Sequence, residues 1–220
     1  MSKIFLTPHD SEVSKLVKLF TKGVSGKTIN QGLLVLQKFP TSFTLHNIIG
    51  MAYASISQFG EAEKYYKKSI KLNTKSAETY ENYANLLKTI GRIKDAIKYY
   101  NKSIKLNPKN YKVLNNLAIT LIDEKFLYEA KDILEDAIKI DSKNYLAHLN
   151  IGNIYKDLNL NLKAIEHYQL ALNDNKNHIS LRNNMGLALT RARRYEEALK
   201  HYLFILKNDP ENIRGLTNIS

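Results

Sequence analysis

The side chains that recur here at fixed spacing and could do chemistry are amides. Asn82, Asn116, Asn150, Asn184 and Asn218 stand 34 residues apart, and Ile48 breaks the series at its front. A carboxamide offers one acceptor and two donors, so it matches a peptide group in both senses. A regular ladder of such groups can hold an extended backbone without strongly reading its sequence. Asn85 and Asn153 add a second position, one helical turn beyond Asn82 and Asn150. The chemistry that this pattern suggests is recognition, not bond making.

Other candidates are weaker. Gly23-Val-Ser-Gly26-Lys27-Thr28 approaches a phosphate-cradling loop, but the motif needs a glycine where Thr21 stands. No strand pattern follows to build the sheet such a loop serves. The segment reads as a helix–helix turn in which glycines supply unusual backbone angles. The histidines are His9, His46, His148, His167, His178 and His201. They show no H-E-x-x-H or comparable pair, so they read as structural and no metal site is expected. His46 and His148 are expected to face the core, and His167 and His201 to lie on outer helices. No serine sits in a nucleophile-elbow context, and the chain has no cysteine. That rules out a disulfide, a zinc–thiolate site and a thiol nucleophile. Asn101-Lys-Ser103 and Asn218-Ile-Ser220 match a glycosylation acceptor by chance, since no secretory signal precedes them. No catalytic residue and no cofactor is expected.

The elements that must position the amides are read from small residues. Ala62, Ala96, Ala130, Ala164 and Ala198 also recur every 34 residues, and Gly50, Ala84, Ala118, Gly152 and Gly186 precede them by 12. A fixed period with small residues at two phases means one supersecondary unit stacked repeatedly. With these alanines at position 20, the units are 43–76, 77–110, 111–144, 145–178 and 179–212. In 77–110, Tyr80, Tyr83, Ala84 and Leu87 form one helical stripe, Gly91 breaks it, and Ile93, Ala96, Ile97, Tyr100 and Ile104 form a second. Pro108 ends the second helix. Small residues at positions 8 and 20 let two antiparallel helices approach closely. Large ones at 11 and 24, such as Tyr155 and Tyr168, fill the space beside them. Most tyrosines fall at core phases, so they read as packing and not as base-stacking platforms. Residues 9–42 read as a degenerate first repeat with Thr28 in place of the alanine, behind a tail at 1–8. Residues 213–220 restart a unit and stop. This is expected either of a fragment of a longer product or of a chain ending in a short docked helix.

These units resemble tetratricopeptide repeats. The resemblance rests on Tyr80-Glu-Asn-Tyr-Ala-Asn-Leu-Leu87, the position-20 alanines, Pro108 and Pro210, and Tyr195-Glu-Glu-Ala198, and it covers residues 43–212. Thr74, Ser142 and Lys176 replace the proline, and Ser69 and Ser103 replace a later small alanine. The resemblance implies an all-α, right-handed superhelical solenoid of stacked antiparallel helix pairs, with position 6 on its concave wall. In the family, notably in the repeat arm of the enzyme that attaches N-acetylglucosamine to protein serines and threonines, such an asparagine ladder binds peptide backbone. The expected peptide-binding residues are therefore Asn82, Asn85, Asn116, Asn150, Asn153, Asn184 and Asn218. A second reading keeps position-6 asparagine only as the family's common residue, for solubility or local hydrogen bonds. The family's clamp for a C-terminal carboxylate is not expected, because Glu81, Leu146 and Asn150 stand where it needs cations.

Composition bounds the partners. The net charge is +12, with 44% hydrophobic and 25% charged residues. Lys64, Lys67, Lys68, Lys71, Lys94, Lys98, Lys102 and Lys105 lie on or just after second helices, which face outward in such stacks. A nucleic-acid groove would concentrate cations on the inner wall instead. No apolar run approaches the roughly 18 residues of a membrane span, and a cytoplasmic location is expected. The expected function is a non-catalytic protein–protein interaction scaffold that binds an extended partner segment in its groove. The alternative is a substrate-recruiting arm of a larger glycosyl- or sulfotransferase. It rests on resemblance to the N-terminal repeat arms of larger bacterial proteins with a similar Phe39-Pro40 and Leu45-His46-Asn47 start.

Overall fold

A computed structural model describes Pro8, residues 10–212 and Thr217, apart from the side chain of Asp174. His9, Asn218 and most of 213–220 lie outside the described residues. Helices account for nearly all of the described chain, which divides into two compact units, Met1–Pro108 and Lys109–Ser220.

The first unit holds α1 (Asp10–Thr21), α2 (Ser25–Lys38), α3 (Phe43–Ser55), α4 (Phe59–Leu72), α5 (Ala77–Thr89) and α6 (Ile93–Leu106). The second holds α7 (Tyr111–Asp123), α8 (Leu127–Ile140), α9 (Tyr145–Asp157), α10 (Asn161–Asp174), α11 (Ile179–Arg191) and α12 (Tyr195–Asn208). Odd-numbered helices open each hairpin and even-numbered helices close it. In the first unit α3 packs on α4, α1 and α5; in the second α9 packs on α10, α7 and α11. First helices therefore lie beside first helices within each unit.

Local chemistry sets the helix ends. Ser42, Ser76, Asn110, Asn144 and His178 each precede a first helix, and each side chain accepts a backbone N–H from its first turn. These caps satisfy donors that the helix cannot pair internally. Each first helix is followed by a left-handed residue at a constant place: Gly23, Ser57, Gly91, Lys125, Asn159 and Arg193, with φ between 59° and 78°. Only two of the six are glycine, the residue that adopts this conformation at no steric cost.

Packing explains the small residues. The position-20 alanines are 0–2% exposed. A Cβ at Gly50, Gly152 or Gly186 would come within 2.9, 2.5 or 2.5 Å of the ring of Tyr66, Tyr168 or Tyr202. The tyrosine of the second helix thus lies flat on the bare backbone of the first. Ser69 and Ser103 are buried yet satisfied, because each hydroxyl donates at 2.8 Å to the first carbonyl of its own hairpin, Phe43 or Ala77.

The phosphate-loop resemblance dissolves in this geometry. Gly23 takes the α1–α2 turn at φ 73°, and the buried Thr28 hydroxyl donates to the Val24 carbonyl at 3.0 Å.

Candidate functional site

Asn82, Asn85, Asn116, Asn150, Asn153 and Asn184 sit on first helices and are half-buried. In the second unit α7, α9 and α11 carry Asn116, Asn150 and Asn184 at equivalent turns, with Asn153 one turn beyond Asn150. The Asn184 amide donates to Asn153 Oδ1 at 2.9 Å, across neighbouring first helices. Asn153 Oδ1 also accepts from the Tyr168 hydroxyl at 2.8 Å, so the closing tyrosine of the hairpin fixes which way this amide points. Asn150 Nδ2 is shielded from solvent and has no hydrogen-bond partner among the described residues. The backbone carbonyl of Asn116 accepts from Thr120 Oγ1 at 2.7 Å.

In the first unit Asn82 donates to Asn47 Oδ1 at 3.2 Å, and Asn47 in turn donates to Glu78 at 3.1 Å. Asn47 was not among the expected residues. The regular series breaks at Ile48, and the adjacent residue supplies the amide from one position earlier. Asn85 Oδ1 accepts from the Tyr100 hydroxyl at 2.6 Å, the same lock as Asn153 with Tyr168. The two position-9 asparagines thus carry a structural bond inside their own hairpins.

A charged cluster of the first unit joins α4 to the α5–α6 turn. Glu63 Oε1 accepts from the Tyr83 hydroxyl, Arg92 and Lys67, each at 2.8 Å. Lys67 foremost, with Tyr83 and Arg92, holds its carboxyl down at about 2, against the opposing pull of burial. Burial and the Glu63 carboxylate push the Tyr83 phenol up.

The histidines hold a pair that the sequence reading did not find. His148 Nδ1 and His167 Nδ1 are 3.2 Å apart, and His148 Nε2 lies 3.3 Å from the Ser142 carbonyl. Because a carbonyl only accepts, Nε2 carries the proton and Nδ1 of His148 is the acceptor. Burial, then the neighbouring His148, keeps the His167 imidazole below its usual range. The two residues are 19 apart in sequence, a spacing that only the hairpin brings together. His178 serves as a helix cap, its Nδ1 accepting from Leu181 N–H at 3.1 Å.

No helix among the described residues is long and apolar enough to cross a membrane.

Comparison with known proteins gives a consistent picture. A tetratricopeptide repeat profile matches residues 43–76, 77–110 and 145–178, and a second profile of the same description matches 99–130. Together they span more than half of the chain. No curated protein matches. Among solved structures, Pseudomonas aeruginosa pilF is 15% identical, with 94% of this chain and 95% of that chain covered at a TM-score of 0.83. The MamA protein is 24% identical, covering 77% and 92% at 0.69. YrrB, described as a TPR protein with an unusual peptide-binding site, is 15% identical, covering 84% and 96% at 0.69. At these identities the likeness speaks for an all-α helical-repeat fold alone. With the matched repeats, it means that this chain belongs to the tetratricopeptide repeat family, whose stacked hairpins serve protein–protein interaction.

Proposed function

We propose that the chain is a non-catalytic scaffold that holds an extended peptide along the first-helix face of its second unit. Asn116, Asn150, Asn184 and Asn153 would take the peptide's backbone groups there. Asn82 and Asn85 would offer the same chemistry in the first unit. Asn218 belongs to the proposed set by its place in the series alone.

The observation that carries this reading is Asn150. Its amide donor is shielded from water and unpaired among the described residues. A polar group left in that state costs about 1–3 kcal/mol, and turning this half-buried side chain outward to a peptide carbonyl would satisfy it. Asn184 and Asn153 lie within hydrogen-bond distance of each other, which supports adjacent first helices presenting their amides as one row. The likeness to YrrB agrees with this proposal without identifying a ligand. The transferase-arm alternative draws no support from these relatives.

The test is calorimetric titration with a peptide selected against the chain from a random display library. Asn116→Ala with Asn150→Ala is expected to weaken that peptide about tenfold, as two amide hydrogen bonds would, with a melting temperature that does not fall. The same peptide with N-methylated backbone amides is expected to bind as weakly. Unchanged affinity in both arms would reject the backbone ladder.

A further inference from the structure

The first unit carries a pocket of about 440 Å³ lined by α2, α3 and α4. Its apolar lining comes from Leu36 and the rings of His46 and Tyr65, and Lys64, Lys68 and Lys71 stand over it from one face of α4. A volume in this range takes a small organic group or one large side chain with its neighbours.

Three properties define what would fit. The rim is cationic and only partly neutralised: Lys64 pairs with Glu61 at 3.3 Å, whereas Lys68 and Lys71 make no ion pair among the described residues. The interior is apolar, and the two aromatic rings lie tilted with centroids 5.7 Å apart. The third property is a missing donor. His46 is 6% exposed, and its Nε2 lies 3.1 Å from the Pro40 carbonyl. That fixes the proton on Nε2 and leaves Nδ1 as an acceptor, buried and without a partner among the described residues. In the second unit the equivalent acceptor, on His148, is met by His167. In the first unit Tyr65 stands where His167 stands, and Nδ1 is left without a hydrogen-bond partner among the described residues.

We infer that this pocket docks an acidic peptide segment of a partner protein, with one aromatic or large aliphatic side chain seated on Leu36, His46 and Tyr65 and flanking carboxylates on Lys68 and Lys71. A peptide fits better than a simple organic acid, because its flanking carboxylates reach both Lys68 and Lys71 while one side chain fills the apolar seat. The occupant is held by charge and by one buried side chain, independently of the asparagine row.

The test uses the whole chain and an acetylated, amidated pentapeptide of sequence Glu-Asp-Phe-Glu-Asp, followed by fluorescence anisotropy. Two control peptides carry Ala for the Phe, or Gln and Asn for the acids. The expected result is saturable binding that weakens about tenfold with either control, and about tenfold in the doubly reversed Lys68→Glu, Lys71→Glu chain. Both lysines are exposed, so circular dichroism of that variant should match the parent. Absence of saturable binding, or binding that survives the charge reversal, would overturn the proposal. Binding lost in Asn116→Ala with Asn150→Ala but kept in the reversed chain would place the peptide on the asparagine face and overturn it equally.

Discussion

The hairpins 43–76 and 145–178 are built on one plan and finished differently. Both lay a tyrosine on a glycine, Tyr66 on Gly50 and Tyr168 on Gly152. Both open with a buried histidine whose Nε2 meets a carbonyl six residues earlier, His46 with Pro40 and His148 with Ser142. From there they diverge. In the second unit Asn153 takes the tyrosine hydroxyl and His167 takes the histidine. In the first, Met51 and Tyr65 occupy those places, so the Tyr66 hydroxyl and His46 Nδ1 gain no such partners. The apolar frame is what the repeat requires. The polar finish varies between repeats.

The largest expected effect tests the shared frame. Gly152→Ala drives a Cβ to 2.5 Å from the Tyr168 ring, a tighter clash than the 2.9 Å at Gly50. Overpacking of this kind costs about 1–3 kcal/mol, and the helix preference for alanine returns about 1 kcal/mol. Gly152→Ala should therefore lower the melting temperature clearly, and Gly50→Ala should leave it nearly unchanged. Equal effects would break the comparison.

A second difference appears in acid. Glu63 sits where the other hairpin has Ile165. Its carboxyl is held at about 2 in the fold against an ordinary 4.5, so its stabilising contribution is complete above 4.5 and is lost as pH falls towards 2. Thermal melts across that window should show Glu63→Gln losing less stability on acidification than the parent. Identical acid slopes would show that Glu63 contributes nothing there.

Tyr168→Phe removes a hydroxyl bonded to Asn153 and should cost about 1 kcal/mol in a urea titration. Tyr66→Phe removes one with no such asparagine and should cost little. The smallest effect belongs to the turns. Ser57 and Asn159 both hold φ near 60°, and asparagine tolerates that region better than serine. Ser57→Gly should raise stability by a few tenths of a kcal/mol more than Asn159→Gly. The reverse order in paired denaturation curves would contradict this account of the turns.

The frame was readable in the sequence because it repeats. Ala62 to Ala198 and Gly50 to Gly186 mark close helix approach directly, and their packing partners recur at fixed offsets. The helical-repeat fold and the family follow from them. The polar finish was less readable, because it depends on pairs brought together by the hairpin and not by periodicity. Asn85 and Asn153 read as groove residues, and the hydroxyls of Tyr100 and Tyr168 emerge as their partners only once the hairpin closes. Asn47 hid one place before the break in its series, and the His148–His167 pair joins two phases that the repeat count keeps apart. The caps at Ser42, Ser76, Asn110, Asn144 and His178 share one phase but three side-chain types, so composition alone conceals them.

The most direct test of the scaffold is to follow the side-chain NH2 resonances of the asparagines by NMR while adding the display-selected peptide. The account predicts that the resonances of Asn116, Asn150 and Asn184 shift together and saturate at one affinity, with Asn150 shifting most because its donor is unpaired in the free chain. Saturable binding that leaves all three resonances in place would contradict it.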